Sequence, residues 1–420
     1  MKLSISSTIK KQLKYVFTAN IVVGIIAALT YPILARIFKP EILGEFQLIL
    51  SVILIFSSIA SFKFEEVVLL TKRKYQSKVL FQMAILSAIT SSILMSVLLI
   101  LFLNEILIFF KLSYFSEALW IIPIGIFSVS VFQIMQIKTV KLMGFNHFSK
   151  YKVFQSSVYN GGSALGGMLS PSLFTLLTAY CSSFLISILL MLLMFKRAGL
   201  MFFVKDFNRC KTLYFRYVKK YYKFPTINVA NVFINNLSMQ LPVLVLSKKY
   251  NYEVVGVYML ANRLVELPAG FITSTINTVY TKFAAEEYHK SIKNLQSVYI
   301  KSAIALSGIA LIFFVTFYII SEFFLEYIYG SNIDGIGFVL ICVALSKSFQ
   351  ILTSPLSQTA NITNKQEVVA ILLCVFLVLR YFALDYPGQF KNSLLAYSIV
   401  TSFFYCLILV VNYRFIRELR

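Results

Sequence analysis

The sequence predicts an all-α integral membrane protein with about 12 transmembrane helices, and three observations carry that reading. First, 59% of the 420 residues are apolar and only 13% are charged, where a soluble domain carries about 25% charged residues. Second, at about 20 residues per crossing helix this apolar stock supplies roughly a dozen spans, and the mean hydropathy of +0.80 agrees. Third, the apolar runs are separated by breaks whose positive charge alternates along the chain. Together these exclude a soluble enzyme, a disordered chain and a disulfide scaffold.

Apolar runs delimit spans at 15–35, 44–62, 79–103, 118–137, 149–169, 172–195, 224–247, 254–280, 296–320, 335–358, 367–385 and 393–412. The first run follows Lys10, Lys11 and Lys14 and has no small-residue cleavage site before Arg36, so it is expected as a retained helix. With the N-terminus in the cytoplasm, 29 of the 39 Lys and Arg fall in inside segments and 6 in outside loops. That asymmetry supports the span count and places both termini inside. Topology also accounts for the net charge of +22, so no nucleic-acid partner is inferred from it.

The longest connection, about 196–223, is strongly basic. It divides the chain into an N-terminal six-helix lobe at 1–197, a cytoplasmic linker at 198–220 and a C-terminal six-helix lobe at 221–420. The halves echo each other. Thr30-Tyr31-Pro32 precedes Glu41-x-x-Gly44-x-Phe46, and Gln240-Leu241-Pro242 precedes Glu253-x-x-Gly256-x-Tyr258. Six spans per half give both repeats one orientation, so a pseudo-two-fold axis would run along the membrane normal.

Polar residues in a span are costly unless they face other helices or a wet cavity. Asn228, Asn231 and Asn235 share one face of span 7, and Tyr258, Asn262, Glu266, Thr273 and Asn277 follow helical period in span 8. Lys347, Gln350 and Gln358 mark span 10. One such stripe could merely join neighbouring helices by hydrogen bonds. Several stripes with charges favour a hydrated cavity, lined by Asn228, Asn231, Asn235, Asn262, Gln350 and Gln358. Arg263 and Glu266 stand at i, i+3 and could neutralise each other. Lys347 and Arg380 have no acid one turn away, so their partners must be carbonyls, an acid on another helix or an anionic cargo. Arg263, Lys347 and Arg380 are therefore the candidate substrate-binding cations, with Glu266 tuning Arg263 or carrying a coupling ion. Phosphate suits such a set. Lys63, Glu65, Glu66 and Lys138 lie near cytoplasmic span ends, where snorkelling accounts for them.

The five cysteines are scattered and the two histidines fall in loops, so no metal site, catalytic constellation or cofactor is expected. Walker A, kinase, G-x-S-x-G and H-E-x-x-H patterns are absent, which argues against an ATP-driven pump or a standard hydrolase. Gly162 and Gly166 in span 5 have the spacing of a close helix contact, and Pro225, Pro242, Pro268 and Pro355 interrupt or flank second-half helices.

Two stretches bear on family. Pro32-Ile33-Leu34-Ala35-Arg36 through Gly44-Glu45-Phe46 is one. The other runs from Tyr222-Lys223-Phe224-Pro225 through Asn235 to Pro242, then Gly256-Val257-Tyr258 and Ala261-Asn262-Arg263. Both resemble the Wzx-type polysaccharide (O-antigen) flippases, within the superfamily that also contains lipid II flippases and multidrug extruders. The resemblance implies a V-shaped pair of six-helix lobes around a central cavity, working by alternating access. It implies movement of an undecaprenyl-diphosphate-linked oligosaccharide to the outer leaflet of the bacterial inner membrane, coupled to protons or sodium, with a polysaccharide polymerase and a chain-length regulator as partners. Competing readings are a drug extruder of the same superfamily, which would want acids in its cavity, and a membrane-embedded polymerase or ligase, which would want a large outside loop. The protein is expected to be a transporter, not an enzyme.

Overall fold

A computed structural model describes the chain apart from residues 1–6, 72, 103–104, 106–115, 199–206, 223, 331–334, 364 and 419–420. The extreme termini, part of the expected linker and parts of the connections expected between spans 3 and 4 and between spans 9 and 10 lie outside the described residues. Among the described residues the regular structure is helical throughout, with no strand.

The first long helices are α1 (Ser7–Ile37) and α2 (Pro40–Ser57), followed by a short α3 (Phe64–Leu70) and α4 (Lys74–Leu101). Next come α5 (Ile121–Met143), α6 (Phe145–Leu169) and α7 (Leu173–Arg197). Helix α8 (Phe207–Lys220) lies in the expected linker, so that segment is helical in part. The remaining long helices are α9 (Val229–Lys249), α10 (Tyr252–Lys290), α11 (Ile292–Phe323), α12 (Ile336–Thr353), α13 (Gln366–Leu384) and α14 (Phe390–Glu418). Local chemistry sets several starts. Asn251 accepts from the Val254 amide at 3.0 Å to open α10, and Ser291 accepts from the Asn294 amide at 3.1 Å to open α11. Gly144, at φ 82°, ends α5 and begins α6 in a conformation other residues avoid.

Among the described residues, eleven helices are long and apolar enough to cross a membrane. The expected fifth span, 149–169, is present as the 25-residue helix α6 but does not meet that measure. Its polarity is the reason, and the polarity is used internally. Gln155 donates to the Ser183 hydroxyl of α7 at 2.9 Å, and Asn160 is buried, donating to the Ser156 carbonyl at 2.8 Å. A β-carbon on Gly166 would meet the Thr175 side chain at 2.7 Å, so the small residues of α6 let α7 come close.

The chain forms two compact units. The first comprises Met1–Thr30 with Glu45–Gln240, and the second Tyr31–Gly44 with Leu241–Arg420. The switches at Thr30/Tyr31 and Gln240/Leu241 occur at positions that the sequence echo equates, each just before an in-helix proline, Pro32 or Pro242. Proline removes one helical hydrogen bond and weakens the helix there. In the first unit, α7 packs on both α5 and α6, α4 packs on α5, and α8 rests on α4. In the second, α12 is central, touching α10, α11 and α14, while α13 lies on α14. Exposed apolar residues form outward stripes, such as Phe17, Ile21, Ile25, Leu29 and Ile33 on α1, at the i, i+4 spacing of a helix that meets lipid.

Candidate functional site

The central position of α12 decides where its lysine goes. Lys347 sits in the C-terminal half of this helix and reaches α10, where its Nζ lies 3.7 Å from Glu266 Oε1. The other carboxylate oxygen of Glu266 accepts from Asn262 Nδ2 at 3.0 Å, one turn earlier on α10. Of the three partners left open for Lys347 by the sequence, an acid on another helix is the one present. The Glu266 side chain remains 42% exposed and that of Lys347 18%. Glu266 is thus half-buried on a 39-residue helix, ringed by Lys347, Asn262 and Arg263 with part of its side chain left open.

Arg263 lies one turn before Glu266 and adds positive potential at its carboxylate. The guanidinium carbon stands 5.8 Å from the Tyr31 ring centroid, within cation–π range. Arg380, on α13, is only 5% exposed. It stacks at 4.6 Å over Phe404 and 5.9 Å over Tyr405 of α14, and Tyr405 hydrogen-bonds it. Tyr397 and Tyr405 stand within electrostatic reach of Lys347, and Tyr258 within reach of both Glu266 and Arg380. Four helices of the second unit thus bring three cations, one acid and a set of phenols to one place. Arg380 occupies the back of the set and Glu266 its open side.

The other predicted positions distribute differently. Asn228, Asn231 and Asn235 belong to the first unit, where Asn231 and Asn235 are exposed and Asn228 half-buried. Gln350 is half-buried on α12, and Gln358, beyond its end, accepts from Asn361 Nδ2 at 2.8 Å. The tyrosines at 31, 397 and 405 were not singled out as site residues. The eight-residue spacing of Tyr397 and Tyr405 on α14 is a signal that could have placed both on one face. Near the first break in the chain the snorkelling expectation fails for one residue. Glu65 is 3% exposed, tucked behind left-handed Phe62 and Lys63 (φ 49° and 59°), with Lys63 Nζ 3.8 Å away. Burial pushes its carboxyl above the usual range, offset in part by the Ser61 hydrogen bond and the Lys63 charge. Among the described residues no cluster of His, Cys, Asp or Glu suited to a metal occurs.

This arrangement can be set beside known proteins. A 151-residue stretch is 26% identical to the amylovoran biosynthesis protein AmsL of Erwinia amylovora, covering 34% of this chain and 39% of that protein. The fold is shared with a lipid II flippase, MurJ, in an inward-closed conformation (TM-score 0.69, 14% identity, 94% of this chain and 86% of that one). It is shared also with the MATE transporter VcmN of Vibrio cholerae (TM-score 0.64, 10% identity, 98% of each chain). At these identities the likeness to the two solved structures concerns fold alone. The family model described as polysaccharide biosynthesis protein matches residues 33–336, a stretch that includes Arg263 and Glu266 of the site and runs into the helix bearing Lys347, and this multi-pass membrane protein belongs to that family.

Proposed function

We propose that the protein carries an undecaprenyl-diphosphate-linked oligosaccharide from the cytoplasmic to the outer leaflet of the bacterial inner membrane. The observation that carries this reading is the excess of cations around a half-buried mid-helix carboxylate: Arg263, Lys347 and Arg380 against Glu266. Each ionised side chain at the bilayer centre costs about 2.5–3.5 kcal/mol on insertion scales. Pairing Lys347 with Glu266 offsets part of that cost and leaves two positive charges for a diphosphate. A diphosphate cannot cross hydrocarbon unaided, whereas fixed cations in a wet recess receive it. A drug extruder selecting cationic cargo would be served by the opposite sign.

In this reading Lys347 and Arg263 contact the diphosphate, Arg380 adds potential from behind through Tyr405, and Glu266 exchanges Lys347 for the coupling proton or sodium ion. Asn262, Gln350 and Gln358 supply hydrogen bonds to sugars. The two six-helix lobes, 1–197 and 221–420, joined through 198–220, present the site alternately to each side, with both termini in the cytoplasm. A polymerase and a chain-length regulator take the product outside.

The test is complementation of a strain lacking the gene. Arg263→Gln and Lys347→Gln are expected to abolish surface polysaccharide while the protein remains inserted at normal level. Full complementation by the Arg263→Gln, Lys347→Gln and Arg380→Gln variants alike would remove the anion site.

A further inference from the structure

Helix α8 joins two spanning helices without spanning itself. Its 14 residues measure about 21 Å, short of the roughly 30 Å of hydrocarbon in a bilayer. Between Phe207 and Tyr222 the chain carries Arg209, Lys211, Arg216, Lys219 and Lys220, and no Asp or Glu. The second half of the helix has three faces. Tyr217 is buried and marks the packed face, since α8 rests on α4. Phe215, at 77% exposure, Val218 and, just past the helix end, Tyr222 are exposed apolar side chains. Arg216, Lys219 and Lys220 are exposed too. The helical bonding runs on to Tyr221, whose amide donates to the Tyr217 carbonyl at 2.9 Å. At about 100° per residue, the three apolar positions fall within an arc of about 60°, and the three basic ones within about 100°. The centres of the two arcs stand about 120° apart, so the exposed apolar face is flanked by positive charge.

What covers that apolar face is decided by reach. Only residues 221–223 separate α8 from Phe224, where the next spanning helix begins. Those four backbone steps extend at most about 14 Å, so the end of α8 stays beside the bilayer surface. A helix with an apolar face beside Lys and Arg suits an interfacial position, its rings and methyls among acyl chains and its cations at phosphates. A neutral lipid would match the apolar face and leave the charges to water. A soluble protein would have to offer an apolar spot and acids together, and displace a bilayer already in place. We propose that α8 with Tyr222 is a binding surface for acidic phospholipid of the cytoplasmic leaflet. Phe215, Val218 and Tyr222 enter the acyl region, and Arg216, Lys219 and Lys220 hold the phosphates. The linker is then a membrane-surface element that gathers acidic lipid beside the first unit, not a strand free in the cytoplasm. The leaflet follows from the charge alternation; the affinity for the headgroup depends neither on that orientation nor on the cargo.

The test uses full-length protein in nanodiscs, with its five native cysteines replaced by alanine and an NBD fluorophore attached through Val218→Cys. Spin-labelled phosphatidylglycerol or spin-labelled phosphatidylcholine is titrated into discs of phosphatidylcholine at low salt, and quenching is followed. Half-quenching is expected at a mole fraction roughly threefold lower for phosphatidylglycerol than for phosphatidylcholine. Salt at about 0.5 M should bring the two curves within about 1.5-fold of each other, because it screens the charges. Arg216→Gln, Lys219→Gln and Lys220→Gln together, at exposed positions that spare the fold, should do the same and leave quenching by phosphatidylcholine in place. Absence of quenching by either lipid would put this face in water or against a protein, and would overturn the membrane seat. Equal curves in the parent at low salt, or a preference that survives the triple substitution, would overturn the headgroup contact. Unlabelled undecaprenyl diphosphate reversing the phosphatidylglycerol quenching at under about a tenth of its mole fraction would make the face a cargo site, and would overturn its assignment to the lipid of the leaflet. Discs expose both faces of the protein and the readout needs no export, so each result stands apart from the complementation test of the carrier reading.

Discussion

The two compact units meet the same difficulty, polar groups in an apolar setting, in opposite ways. In the first unit several hydroxyls and lysines are turned inward and engaged by backbone carbonyls. Ser183 and Ser187 of α7 donate to carbonyls of their own helix at 2.7 Å each, and Ser130 of α5 reaches both its own helix and the Ser57 carbonyl. Its lysines are employed as fasteners. Lys141 donates to the carbonyls of Val68 and Thr71 at the end of α3, Lys138 stacks over Phe81 at 4.0 Å, and Lys152 donates to Asn20 at 2.8 Å. In the second unit the Lys347–Glu266 pair spans two helices and stays partly open. A cation wholly engaged by carbonyls can hold a fold and has nothing left for a ligand. A cation paired with an exposed carboxylate can exchange its partner. The contrast separates charges engaged by the backbone from a pair that keeps part of its surface open.

The largest expected effect tests the working side. Lys347→Gln should reduce surface polysaccharide more than tenfold at unchanged protein level, and adding Glu266→Gln should not restore export. Export recovered in the double variant would make the pair structural, like the lysines of the first unit. On the structural side, Lys141→Met strips the donor from three acceptors around Val68 and Thr71. A loss of about 1–3 kcal/mol in stability is expected, with export per folded molecule retained. Measured by thermal unfolding in detergent alongside complementation, a drop in specific export would blur the distinction.

A smaller effect concerns Glu65. Burial holds its carboxyl pKa above the usual range in the folded state, so the protonated form favours folding, and this contribution, complete below the unfolded value, is lost as pH rises through the raised folded one. Glu65→Gln should therefore melt higher than the parent at pH 8, and the gap should close toward pH 4. An unchanged gap across that range would mean that the carboxyl is not held against its charge. The smallest effect is at the hydroxyls. Ser187→Ala removes a bond confined to its own helix and should shift stability by no more than about 0.5 kcal/mol, with export intact.

How much of this was legible in the sequence follows from what kind of information each feature needs. Membrane class and eleven of the spans follow from apolar runs long enough to cross a bilayer, a property of consecutive residues. The 149–169 helix was also legible as a helix, although Asn160 and its glycines reduce its hydropathy below a spanning measure. The stripe on α10 showed that Asn262 and Glu266 share a face, and the spacing is what lets them bond. Lys347 and Arg380 stood out because neither has an acid within a turn. Glu65, by contrast, was misread. Its place near a span end suggested water, and the left-handed turn at Phe62 and Lys63 that turns it inward leaves no mark in composition.

The sequence by itself determined the helices, their polar faces and the pairing of Glu-x-x-Gly motifs in two repeats, because each depends on neighbours within one or two turns. Tertiary structure alone decided which partners those faces found. Lys347 chose Glu266 because α12 packs against α10; Arg380 was buried because α13 lies on α14. Tyr31 came to lie beneath Arg263 because Gly44 and Gly256, 212 positions apart, lack the side chains that would hold their helices apart. Contacts of that range depend on how helices stack, and stacking is set by the shapes of whole faces, which no local pattern encodes.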